Sequence, residues 1–68
     1  SEVGSVEDRV MQEYRQALAA YNQAVHNFEN ANPEYVDAAT YALIAAEERL
    51  AVAVRALRLR YAAYKSIN

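Results

Sequence analysis

The sequence predicts an all-α protein, an antiparallel two-helix hairpin that pairs with a second copy into a four-helix bundle. The only proline, Pro33, lies near the middle of the 68-residue chain, and the only glycine, Gly4, lies near its start. Apolar residues recur at helical spacing on both sides of the Asn30–Pro33 segment. A chain this short buries little core, and without cysteine it has neither disulfides nor thiolate metal sites, so self-association is the common remaining source of stability.

Helix 1 is expected at about residues 5–30, within a single hairpin at 5–66 that follows a disordered N-terminus at 1–4. Ser5 and Asp8 fit a capping box, in which each side chain accepts a hydrogen bond from the other's backbone amide. Large apolar residues then follow at alternating spacings of three and four: Met11, Tyr14, Leu18, Tyr21, Val25 and Phe28. This spacing predicts a helix that is amphipathic with one apolar face.

Helix 2 is expected at about residues 33–65, after a turn at 30–33. Asn32 is a favourable N-cap residue, and Pro33 fits the first helical position, where its missing N–H is not needed. Large residues repeat every seven positions with alanines between them: Val36, Ala39, Leu43, Ala46, Leu50, Ala53, Leu57 and Tyr64. Small residues in such a seam allow two helices to approach closely.

Helix 2 is also apolar on the side opposite this seam. Four large residues are expected there: Tyr41, Ile44, Val52 and Leu59. A helix that is apolar nearly all round is usually buried on both sides, and helix 1 can cover only one of them. We therefore predict a protein interface at these four residues, occupied by a second copy in a homodimer or by a protein partner.

Charge is distributed unevenly along a chain whose net charge is −2. All nine carboxylates lie before Arg49, whereas the residues after it carry only basic charges. A hairpin brings the acidic start beside the basic end, where Glu2, Glu7, Asp8 and Glu13 are expected to lie near Arg60, Arg58, Arg55 and Arg49. The alternative is a nucleic-acid contact at Arg55, Arg58 and Lys65, which the acidic overall charge disfavours.

The residue pattern favours no enzyme and no cofactor. His26 and Glu29 are one helical turn apart, but a carboxylate-bridged metal bundle needs several Glu-x-x-His motifs, so no metal site is expected. No convergent polar set indicates a catalytic centre or a small-molecule substrate. Without an apolar span or a signal-peptide pattern at Ser1–Val3, we expect a cytoplasmic protein with no membrane contact.

Residues 27–50, NFENANPEYVDAATYALIAAEERL, carry a family resemblance. An aromatic residue, Phe28, precedes the Asn32-Pro33 turn, and the Ala45-Ala46-Glu47 segment follows. This arrangement resembles the YaaL-like proteins of Gram-positive bacteria, a domain of unknown function, over roughly residues 10–58. The resemblance implies a small cytoplasmic helical protein and no known activity. The Spo0E-like phosphatases are hairpins of similar length, but their Ser-Gln-Glu-Leu-Asp signature is absent.

Overall fold

The computed structural model describes the backbone of residues 2–67 and the side chains of residues 9–66. Helix α1 covers Glu2–Glu29, a short 3-10 helix covers Pro33–Tyr35, and helix α2 covers Val36–Ile67. This described part of the chain contains no strand, so the predicted all-α class is confirmed.

Helix α1 begins three residues earlier than the sequence predicted. Glu2 already belongs to the helix, so the backbone of residues 2–4 is part of α1. Gly4 costs a helix about 1 kcal/mol relative to alanine, but it does not end one. The predicted capping box of Ser5 and Asp8 concerns side chains outside the described ones.

Both asparagines of the turn take part in hydrogen bonds at the helix ends. The carbonyl of His26 accepts from the backbone N–H of Asn30 at 3.1 Å and also from the side-chain Nδ2 of Asn30 at 2.8 Å. Asn32 has the extended backbone that a following proline imposes, but its side chain makes no capping hydrogen bond. Its backbone carbonyl accepts instead from the N–H of Tyr35 at 2.8 Å. Asn32 is thus the N-cap residue with Pro33 after it, as predicted, but without the expected side-chain hydrogen bond.

Helices α1 and α2 contact each other, and alanines lie at the centre of the contact. Ala17 is fully buried and Ala53 is 2% exposed, and Ala24 is the third buried residue. No large apolar side chain is fully buried among residues 9–66. The deepest positions of α1 therefore lie one residue before Leu18 and Val25, which belong to the predicted seam.

Most large residues of the predicted seams are half-buried and do not form a closed core. The half-buried ones are Tyr14, Leu18, Tyr21 and Val25 in α1 and Leu43, Leu50 and Leu57 in α2. Met11, Phe28 and Val36 were predicted in the same seams but are exposed. Tyr64, predicted as a core residue, is 66% exposed. The chain is elongated, with extents of 53 × 22 × 12 Å. Its radius of gyration is 15.6 Å, whereas a compact chain of this length has about 11 Å.

Candidate interaction surfaces

The first candidate surface is the side of α2 that points away from α1, and we call it the outward face. It consists of Tyr41, Ile44, Val52 and Leu59. These four side chains are between 48% and 72% exposed. Tyr41 and Leu59 are separated by about five helical turns, so they lie on one row with Val52 close beside it. The sequence predicted these residues, and the structure places them on one exposed face.

Two charged residues interrupt the outward face. Glu48 and Arg55 lie between its apolar members and are exposed. Glu48 lies four residues before Val52 and Arg55 lies three residues after it, so both are its neighbours on the helix surface. The outward face is thus a row of separated large side chains and not a continuous apolar patch.

The second candidate surface is an open groove between the two helices. It has two adjoining hollows of about 570 and 440 Å³, which share Val54 and Arg58. Both helices supply its apolar lining: Tyr14 and Tyr21 from α1, and Leu50, Val54, Leu57 and Tyr61 from α2. Charged residues Glu47, Arg55 and Arg58 stand on the α2 side. We call this surface the groove.

The groove exists because alanines, and not the large residues, lie directly between the helices. Ala17 and Ala24 are seven positions apart in α1, so they lie on one row that is buried against α2. Tyr14 and Tyr21 lie on a neighbouring row, and both open to the groove. The large apolar side chains of both helices are therefore displaced to the same side of the pair.

An ion pair lies away from the groove. Glu13 and Arg49 make two hydrogen bonds, from Arg49 Nε to Glu13 Oε2 at 2.8 Å and from Arg49 Nη2 to Glu13 Oε1 at 3.0 Å. The hydrogen bond from Arg49 lowers the pKa of the Glu13 carboxyl below its ordinary value, although desolvation acts in the opposite direction. The predicted partners Glu2, Glu7 and Asp8 have side chains outside the described ones, so their pairing stays a prediction.

The alternative nucleic-acid residues follow one side of α2. Arg55, Arg58 and Lys65 are exposed, and the first two line the groove. The Nζ atom of Lys65 lies 5.9 Å from the centre of the Tyr61 ring, which is within the range of a cation–π contact. The structure thus places one aromatic ring within this basic row, which the sequence analysis did not predict.

The part of the chain that the structure describes has no cluster of three or more His, Cys, Asp or Glu side chains able to hold a metal ion. His26 is exposed near the end of α1, where its Nδ1 lies 3.4 Å from the Nδ2 of Asn30. Over residues 2–67, neither helix has an apolar stretch long enough to cross a membrane.

No protein-family model matches the chain, and no curated protein or solved structure is significantly similar to it. The resemblance to the YaaL-like proteins therefore stays a prediction.

The outward face was predictable from the sequence, whereas the groove was not. Helical periodicity alone identifies an outward face, because the face lies opposite the seam on the same helix. The groove depends on the rotation of one helix against the other. A signal for that rotation was present, since Ala17 and Ala24 repeat at seven positions as the alanines of α2 do.

Proposed function

We propose that the protein is a non-enzymatic interaction module, an antiparallel two-helix hairpin that self-associates through α2. The outward face is its contact surface, and the assembly includes a bundle of four helices from two hairpins. The main support is the exposure of four large apolar residues of α2 on a side that α1 does not cover: Tyr41, Ile44, Val52 and Leu59. Large apolar side chains in a row at helical spacing are typical of helix–helix contacts.

The hairpin part of the proposal is supported by the position of the ion pair. Glu13 and Arg49 are 36 positions apart, and Ala31 in the turn lies midway between them. Two antiparallel helices of equal rise per residue bring residues at equal distances from the turn side by side. A parallel arrangement would need a connection as long as a helix, whereas only a few residues separate Glu29 from Val36.

The energy available at the outward face supports self-association. Complete burial of a large apolar side chain contributes about 1.5–3 kcal/mol. Eight such side chains, four from each chain and about three-fifths exposed, contribute about 7–15 kcal/mol in all. Association itself costs about 4–15 kcal/mol. The two ranges overlap, so burial at the outward face is of the size that association requires.

The test is the double variant Ile44→Glu with Val52→Glu. It places two charges within the outward face at exposed helical positions, so we expect helicity to be retained and the mass of the assembly to fall. The matched control is Gln16→Glu with Gln23→Glu, which adds the same charge on the exposed side of α1. Size-exclusion chromatography with light scattering measures the mass, and circular dichroism measures helicity. A wild-type protein with the mass of one chain contradicts the proposal.

Nucleic-acid binding is the second candidate function, and one observation favours it. Arg55, Arg58 and Lys65 are all exposed on the same stretch of α2, with the ring of Tyr61 against Lys65. Basic side chains beside an aromatic ring suit a phosphate backbone and a stacked base. The test is fluorescence anisotropy with a labelled single-stranded oligonucleotide at low salt. The binding expected on this view weakens steeply as salt rises, and no binding at low salt removes this candidate.

A further inference from the structure

We infer that the groove is a second homotypic interface, in which a second copy of this chain packs groove to groove around a twofold axis. This inference extends the proposed function, because none of the four apolar residues of the outward face lines the groove, although Arg55 borders both surfaces. Two different twofold contacts on one chain generate a closed assembly of four copies when their axes cross at right angles. Each chain would then contact one copy through its outward face and another through its groove.

The exposed area of the chain supports more than one interface. The chain exposes 5544 Å². A compact monomeric protein of its mass, 7.6 kDa, exposes about 4,300 Å². The excess is about 1,200 Å², whereas an interface of standard size removes about 800 Å² from each partner. One such contact at the outward face leaves part of this excess uncovered.

The position of the large side chains identifies the second surface. Alanines at positions 17, 24 and 53 make the direct contact between α1 and α2. The larger residues Tyr14, Tyr21, Leu50, Val54 and Leu57 all lie beside that contact and line the open groove. In a four-helix bundle each helix turns its apolar side toward the bundle axis and not only toward its neighbour in the hairpin. Both helices of this chain have that arrangement, and the groove is where the bundle axis would lie.

The charges of the groove indicate that its occupant is another copy of the same groove. Glu47 and Arg58 stand on the α2 side of one hollow and are about three helical turns apart, so they lie on one row. A twofold axis that crosses the groove at the level midway between them along α2 brings Glu47 of each chain to Arg58 of the other. An isologous contact is self-complementary in this way, because each residue meets its partner twice. Charge complementarity of this kind sets the register of an interface.

The experiment is a charge exchange made in the Ile44→Glu, Val52→Glu background, where only the groove contact remains. Sedimentation equilibrium measures the dimer dissociation constant of this background and of three derivatives, Glu47→Arg, Arg58→Glu and the combination of both. Each single reversal puts like charges at positions 47 and 58 in both symmetry-related pairs of the dimer. We therefore expect the dissociation constant to rise about tenfold or more. The combination restores the opposite pairing and should return the constant to within about threefold of the background value. Arg9→Glu, an exposed reversal on α1 outside the groove lining, is the control.

The outcomes separate this inference from the proposed function. Four copies in the wild type and two in the background support both surfaces. A wild-type dimer that becomes monomeric in the background supports the outward face and overturns the groove contact. A dimer that persists in the background and responds to the charge exchange supports the groove and contradicts the outward face. If the combined reversal is folded by circular dichroism but does not return the dissociation constant to the background value, the proposed twofold pairing is overturned.

Discussion

Glu13 and Arg49 form a bidentate ion pair that joins α1 to α2 across 36 positions of sequence. Arginine presents its N–H groups in a fixed fork that matches a carboxylate, so both hydrogen bonds form together. The two residues lie at equal distances from Ala31. The pair therefore favours one alignment of the helices over alignments shifted by a turn, in which these two side chains would not meet.

Replacement of Glu13 by Gln should make the protein less stable at neutral pH but not at low pH. The pKa of Glu13 is lowered in the folded chain, so its contribution to stability is present above the unfolded pKa of about 4.3 and is lost as pH falls through the folded value. Urea denaturation of wild type and variant at pH 7 and at pH 2.5 measures the difference. In an Arg49→Gln background, Glu13→Gln should lose this pH dependence, because the hydrogen-bonding partner is gone.

Enlargement of the central alanine contact should destabilise the fold. Ala17→Leu adds three carbon atoms at a fully buried position against α2, and overpacking of this kind costs about 1–3 kcal/mol. Ala19→Leu, at an exposed position of the same helix, should change the free energy of unfolding by no more than about 0.5 kcal/mol. Denaturant titration compares the two. Equal effects would show that α1 does not pack through the row of Ala17 and Ala24.

The two asparagines of the turn should respond differently to truncation. Asn30→Ala removes the side-chain hydrogen bond to the carbonyl of His26, which contributes about 0.5–1.5 kcal/mol in a typical case. Asn32→Ala should cost less than about 0.5 kcal/mol, whereas loss of a working side-chain N-cap typically costs about 1 kcal/mol. Thermal unfolding of the two variants distinguishes these roles. A larger loss for Asn32→Ala would show that its side chain serves as the cap.

Tyr64 should be dispensable for stability even though it continues the predicted seam. Because its side chain is mostly exposed, Tyr64→Ala should change the free energy of unfolding by no more than about 0.5 kcal/mol. The better helix propensity of alanine acts in favour of the variant. Tyr14→Ala removes a half-buried ring that lines the groove and should cost about 1 kcal/mol or more. Chemical denaturation at one protein concentration compares the variants.

Local patterns in the sequence predicted the helices and their break well. Pro33 and the periodic apolar residues identified two helices, and the structure confirms an all-α chain with a break around Asn30–Pro33. The start of α1 was placed too late because Ser5 suggested a cap, although nothing in Glu2–Gly4 ends a helix. Boundaries of this kind depend on small differences in local free energy, which a single capping residue does not decide.

The burial of particular side chains was less predictable. Periodicity identifies the apolar side of a helix, but not which row of that side faces its neighbour. In α1 that row contains Ala17 and Ala24, and the larger residues lie beside it. Close approach of two helices is easiest through small side chains, so the contact formed there. Tyr64 was wrongly predicted as a core residue for a related reason. Its burial depends on which residues pack against the end of α2, and helical periodicity does not give this.

The alanine contact links folding to the amount of protein present. Methyl groups bury little area, and the large residues beside them are only half-buried, so the contact between α1 and α2 leaves apolar surface exposed on a single chain. Other copies supply further burial, and in the proposed assembly folding is therefore linked to association. For such a protein the midpoint of thermal unfolding rises with total concentration. A cell that makes more copies thereby raises the folded fraction of every one of them.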